Sequence, residues 1–220
     1  MMKFTKQLLS GFIISIIWLI GFSCIAILMN GQKLIQFDQV LISSIQGLES
    51  PALTSLMKFF TFIGSFPSVF VICLFTALFL NFVLKHRIEL ILFVYVVIGT
   101  PIINQILKYF FHRARPDFYR LIEIRGYSFP SGHAMNAFAV YGIITFLLWH
   151  RIPSHLGRMI LILISSGLII IIGASRIYLG VHYPSDIIGG YFASGFWLSC
   201  AIWFFQRYKE KQSQRKRLSD

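Results

Sequence analysis

Apolar residues run through this chain in blocks too long for an ordinary soluble core, and the polar residues between them fall into short, separate clusters. The runs lie at roughly 8–29, 67–84, 89–107, 133–149, 158–174 and 187–206. Each is near the length of about 20 residues that an α-helix needs to cross a bilayer. The pattern predicts an all-α, polytopic membrane protein built as a six-transmembrane-helix bundle. Between the first two runs, Leu34, Phe37, Leu41, Ile45 and Leu48 recur at helical spacing. They predict an interfacial helical segment within 30–66 that caps the bundle. The first run follows Lys3 and Lys6, as a signal peptide would, but no small-x-small cleavage site appears at Asn30-Gly31-Gln32. A retained first helix is therefore expected.

Composition strengthens this reading. The 220 residues are 56% hydrophobic and 13% charged, with mean hydropathy +0.73, whereas a soluble domain carries roughly 25% charged residues. One integral membrane domain, 1–220, is expected. The net charge of +12 does not imply nucleic acid, because six of the 20 basic residues sit in the tail 207–220 and most others in short loops. That distribution suits membrane topology and anionic lipid head groups. If both termini are cytoplasmic, twelve of the 20 basic residues lie inside, in keeping with the positive-inside rule. Cys24, Cys73 and Cys200 all lie within apolar runs and read as packing residues rather than a disulfide framework or metal cluster.

With that topology, three polar clusters fall on the same, outer face. They are Lys108 with Arg115-Pro116, then Pro130-Ser131-Gly132-His133, then Ser175-Arg176 with His182 and Asp186. Ionisable groups within a bilayer are costly and by default suggest a site. Pro184 suits the first turn of the last helix, which places Asp186 at the positive end of that helix dipole. From there its carboxylate reaches Nδ1 of His182 and leaves Nε2 free as a nucleophile. Ser131 is a good N-cap, and Gly132 lets an anion approach the free N–H groups at the helix start. His133 is placed to protonate a leaving alkoxide. Lys108, Arg115 and Arg176 supply positive charge for a phosphoryl group in transfer. Each feature alone has a structural explanation, such as a helix cap or a head-group contact. Their convergence is what points to chemistry on an anionic substrate. The three cations argue against a bound divalent metal, and no metal-ligand spacing such as His-Glu-x-x-His is present.

These strings resemble the type 2 phosphatidic acid phosphatases, or lipid phosphate phosphatases, whose pattern is Lys-x6-Arg-Pro, Pro-Ser-Gly-His and Ser-Arg-x5-His-x3-Asp. Every specified position is matched in order by Lys108–Pro116, Pro130–His133 and Ser175–Asp186. The resemblance implies a phosphatase core of about 60–206 that hydrolyses lipid phosphomonoesters or diphosphates without a cofactor. Phosphatidylglycerophosphate, phosphatidate and undecaprenyl diphosphate are the candidate substrates. It further implies that His182 forms a phosphohistidine, that Asp186 orients it and that His133 protonates the leaving group. Lys108, Arg115, Ser131, Gly132 and Arg176 would bind the phosphate. A bacterial inner or plasma membrane is the expected location, with membrane lipids as surroundings and no nucleic acid partner. Oligomeric state has no signal in the sequence. A phosphotransferase with a non-water acceptor and an anionic-lipid transporter or flippase are the alternatives. Asn104 and Asn136 are expected near the site as interhelical hydrogen-bonding residues, and Asp117, Tyr119, Arg120 and Glu123 near a lipid head group.

Overall fold

A computed structural model describes the backbone of residues 2–85, 87–117 and 119–219, and the side chains of residues 9–85, 87–117 and 119–215. The described elements are helical: α1 (Met2–Leu28), α2 (Gln32–Gln46), α3 (Pro51–Ile63), α4 (Phe66–Leu78) with a π-helical turn at Phe79–Val83, α5 (Arg87–Phe111), α6 (Gly132–Trp149), α7 (His155–Tyr178) and α8 (Pro184–Ser219). Six of them are long and apolar enough to span a membrane: α1 from Leu9, α4 with its π-helical turn, and α5 to α8. The protein is thus a multi-pass, six-span helical bundle. Side chains such as Phe75, Ile106 and Leu163 are exposed on its flanks, as lipid contact requires.

The core forms where α6 and α8 pack with α5. Phe93, Val96, Ala139, Ile143 and Leu198 meet there, with Leu80 from the π-helical turn. Helix α1 lies along α8, and Trp18 packs edge-on against Phe138 at 5.3 Å and Phe192 at 5.6 Å. At the end of the bundle where α5 begins and α6 finishes, Glu89 bonds Arg151, and Lys209 of α8 approaches Glu89 at 3.4 Å.

The polar clusters lie at the opposite end, and two helix boundaries differ from the sequence expectation. The fifth span continues to Tyr178 rather than 174, because Ser175, Arg176 and Tyr178 are buried in protein and a cation is favoured in a last helical turn. The last helix begins at Pro184, as expected, but runs through the basic stretch to Ser219. Lys, Arg, Glu and Gln are good helix formers once a helix is nucleated.

The 30–66 segment resolves into two helices. Its inward face is rotated from the apolar stripe: the buried residues of α2 are Asp38 and Ile42, while Phe37 and Leu48 are exposed. Ile42 joins a cluster with Ala134, Ile177 and Ile187. Asp38, one turn earlier on the same face, has polar partners described below. Helix α3 covers the end of α7, where the Tyr178 hydroxyl lies 2.8 Å from Thr54 Oγ1.

Candidate active site

Each motif cluster is held by a helix end. Helix α7 closes at Leu179, and Gly180 takes the left-handed backbone φ of +73°. Gly180 N–H donates to Ile177 O at 2.9 Å, and Val181 N–H to Arg176 O at 3.2 Å. These paired bonds form a Schellman motif, which turns the chain directly into His182. Helix α8 starts two residues later with Pro184 and carries Asp186 in its first turn. Helix α6 is capped by Ser131, whose Oγ accepts from Ala134 N–H. The Ser131 N–H itself donates to Asp186 O at 3.1 Å, which ties the starts of α6 and α8 together.

His182 is buried and held from both sides. Its Nδ1 lies 3.2 Å from Asp186 Oδ2, and its Nε2 lies 3.1 Å from Arg115 Nη1. A guanidinium has donors only, so Nε2 meets it with a lone pair and Nδ1 carries the proton toward the carboxylate. That is the tautomer a nucleophilic imidazole needs. Burial, followed by the neighbouring charges of Arg176, Arg115 and Lys108, pushes the His182 pKa well below the ordinary histidine range. The ring is therefore neutral at pH 7. Asp186 Oδ2 also accepts from Tyr183 N–H at 2.9 Å.

Main-chain carbonyls anchor two of the three cations. Arg115 donates from Nε to Gly126 O at 2.9 Å and from Nη1 to Val181 O at 2.8 Å. Lys108 Nζ donates to Tyr127 O at 2.5 Å and lies within electrostatic range of Arg115, Asp186 and Arg176. Arg176 is 2% exposed. It donates from Nη1 to Thr61 Oγ1 at 2.5 Å, while its Nε is buried without a hydrogen-bond partner. A buried, unpaired guanidinium donor is costly unless an acceptor arrives, and an anion is the matching acceptor.

His133 stands at the start of α6 and bonds the main chain of Thr61. Thr61 lies in the last turn of α3, where carbonyl groups lack helical partners. His133 also lies within electrostatic range of Arg176 and His182. A Cβ on Gly132 would come 3.0 Å from Asn104 Oδ1, a tight approach that glycine relieves. Asn104 donates to Pro130 O at 3.0 Å, the interhelical role expected of it. All eight candidate site residues, from Lys108 to Asp186, therefore gather at one end of the bundle. Asp117 and Arg120 instead pair with each other at 3.4 Å, and Tyr119 donates to Glu49 at 3.2 Å.

Four contributors are not specified by the motifs: Asp38 and Thr61 lie outside the strings, and Arg113 and Ser185 occupy unspecified positions within them. Arg113 Nη1 donates to Asp186 Oδ1 at 2.7 Å and Nη2 to Asp38 Oδ2 at 2.9 Å. Arg113 sits two residues before Arg115, a spacing that could have drawn attention to it. No spacing singles out Asp38 or Thr61. Among the described residues, no group of three or more His, Cys, Asp or Glu side chains converges in a metal-binding arrangement.

The pattern of the PAP2 superfamily matches residues 89–210. The chain belongs to this superfamily. Phosphatidylglycerophosphatase B of Bacillus subtilis is 41% identical over 97 residues, which are 43% of this chain and 48% of that protein. The chain thus spans about half the length of that PAP2 relative. Undecaprenyl-diphosphatase of Sulfolobus acidocaldarius is 31% identical over 178 residues, 78% of this chain and 80% of that protein. Among solved PAP2 structures, a transmembrane PAP2-type phosphatidylglycerolphosphate phosphatase from Bacillus subtilis superposes with a TM-score of 0.81 at 25% identity, covering 90% of this chain and 96% of that one.

Proposed function

We propose that this protein is an integral membrane lipid phosphatase that removes the terminal phosphate of a lipid phosphomonoester or diphosphate. One observation carries the reading: the His182 ring lies with Nδ1 against Asp186 and Nε2 against Arg115, beside a buried Arg176 with an unpartnered donor. The names of the two relatives, one a phosphatidylglycerophosphatase and one an undecaprenyl-diphosphatase, support lipid phosphates as the substrate class.

In the proposed reaction, the substrate phosphate lies among Lys108, Arg115, Arg176 and the N–H groups at the Ser131–Gly132 helix start. Nε2 of His182 forms a bond to phosphorus as the bond from phosphorus to the lipid oxygen breaks. His133 gives a proton to the departing oxygen, and Asp186 stabilises the positive charge that develops on the His182 ring. A water molecule then attacks the phosphohistidine while His133 takes its proton, and inorganic phosphate leaves. The cations act on charge spread over the equatorial oxygens, where electrostatic stabilisation dominates phosphoryl transfer. No step calls for a metal. We place both termini in the cytoplasm and the site at the outer face, on the count of basic residues. The residues at about 60–206 then form the phosphatase core, and 207–220 a basic cytoplasmic tail.

The test is phosphate release by the detergent-purified protein from phosphatidylglycerophosphate, phosphatidate and undecaprenyl diphosphate, each with and without chelator. At least one substrate should turn over and be indifferent to chelator. His182→Ala should cut the rate by about 10³-fold or more. Full activity in that variant refutes the assigned nucleophile, and silence of the native protein on every substrate refutes the reading.

A further inference from the structure

The proposed chemistry leaves one buried acid unused. Asp38 projects from α2, which lies outside the three motifs, and it is 1% exposed. Its Oδ1 accepts from Ser185 N–H at 2.8 Å, and its Oδ2 from Ser185 Oγ at 2.5 Å and Arg113 Nη2 at 2.9 Å. The other edge of the same guanidinium, Nη1, donates to Ser185 Oγ at 2.8 Å and to Asp186 Oδ1 at 2.7 Å. The bonds balance at Ser185: its hydroxyl proton goes to Asp38, and its lone pair receives Arg113. The Arg113 guanidinium also lies over the Tyr183 ring, 4.2 Å from its centroid. A continuous line of contacts therefore runs Asp38–Arg113–Asp186–His182.

Docking of α2 does not need this acid. Ile42, on the same face, already packs against Ala134, Ile177 and Ile187, and apolar residues often replace a buried ion pair without loss of stability. What the acid does accomplish is electrostatic. Alone beside Asp186, the Arg113 charge would draw the carboxylate's negative charge away from His182. The guanidinium's polar contacts would also lie along the Nη1 edge alone, to Asp186 and Ser185 Oγ. A second carboxylate on its far edge balances that charge and fixes the planar fork from both sides.

We propose that Asp38 is a positioning residue: acting through Arg113, it holds the Asp186 carboxylate, and through it the His182 ring, in the attacking geometry. The segment between the first two spans is on this view part of the working site rather than only a cover. The proposal rests on the phosphatase reading above.

The test compares kcat, KM and thermal midpoint for the purified native protein, Asp38→Asn, Arg113→Lys and the double variant, with phosphatidylglycerophosphate, phosphatidate or undecaprenyl diphosphate, whichever the native protein turns over. Asparagine keeps the shape and an acceptor but removes the charge. Asp38→Asn should lower kcat about tenfold, the scale on which outer-shell partners act, while KM stays within about twofold because Asp38 touches no substrate. Arg113→Lys should lose at least as much, since a point charge does not grip both carboxylates at once. The double variant should fall no further than Arg113→Lys alone, because both act along one line. A merely structural role would lower the folded fraction and leave kcat per folded molecule unchanged. That result, or a kcat within twofold of native in Asp38→Asn, overturns the proposal. If Asp38→Asn does not accumulate, Arg113→Lys, which keeps a positive charge opposite both acids, carries the same comparison. An active native protein with an indifferent Asp38→Asn defeats this inference alone. A native protein silent on every lipid phosphate defeats the phosphatase reading, and the inference with it.

Discussion

Replacing Gly180 with alanine should damage both stability and turnover, by amounts that the structure separates into two parts. The first is conformational: at φ +73° a side chain costs about 1–2 kcal/mol. The second is steric. A Cβ at this position would stand 2.2 Å from Tyr119 O, 3.0 Å from Gln46 Nε2 and 3.1 Å from Arg120 Cα. Relief requires a shift of about 1 Å, and such overpacking costs about 1–3 kcal/mol. The sum is about 2–5 kcal/mol. Because the turn leads into His182 two residues later, a displacement of that size should lower the rate of phosphate release about 10²-fold. Two further glycines serve as references. Gly126 has φ +83° and nothing within 4 Å of a new Cβ, so Gly126→Ala should show only the conformational part, about 1–2 kcal/mol. Gly167 lies within α7, also with nothing within 4 Å. Gly167→Ala should leave activity intact and add about 0.5–1 kcal/mol of stability. Thermal midpoints in detergent and initial rates of phosphate release give both quantities. If Gly180→Ala behaves like Gly126→Ala in both measurements, the contact with Tyr119 is not limiting and the reasoning fails.

Two further outcomes follow from the site. The folded-state pKa of His182 lies well below the unfolded value of about 6.5, so the unfolded chain binds the extra proton between those two values. Stability from this group is then complete above about pH 6.5 and declines as pH falls, by up to about 1.4 kcal/mol per unit. The native protein should lose more thermal midpoint between pH 7.5 and pH 5.0 than His182→Gln does, and parallel losses would contradict a neutral buried ring. Thr61→Val removes the oxygen that accepts from Arg176 Nη1, which should cost about 1.5–3 kcal/mol. Saturating inorganic phosphate should narrow the deficit by supplying acceptors, whereas an equal deficit with and without phosphate would argue against Arg176 as an anion-binding group.

The spans were legible because apolar length is a one-dimensional property, and the motif residues because their chemistry is scarce in a hydrocarbon chain. Lys108, His133 and His182 stood out through their place in three ordered strings rather than singly. Less visible were features that depend on a partner distant in sequence. Ser175 and Arg176 read as the end of a span, yet burial against Thr61 carries α7 through them. The apolar stripe of Leu34, Phe37, Leu41, Ile45 and Leu48 pointed to one face, whereas the buried positions of α2 are Asp38 and Ile42, whose partners Arg113, Ala134, Ile177 and Ile187 all lie far away in sequence. Thr61 carries no local signal, since one hydroxyl in an apolar helix ordinarily bonds its own backbone.

Residues 89–210, which carry the superfamily pattern, contain neither Asp38 nor Thr61. A chimera that borrowed everything before position 89 from a cousin would keep every diagnostic string intact. It could nonetheless leave Arg113 gripping a single acid and Arg176 with no hydroxyl to hold. Two members indistinguishable by signature could then differ widely in speed, and the place to look for the cause would be α2 and α3, the helices that supply Asp38 and Thr61.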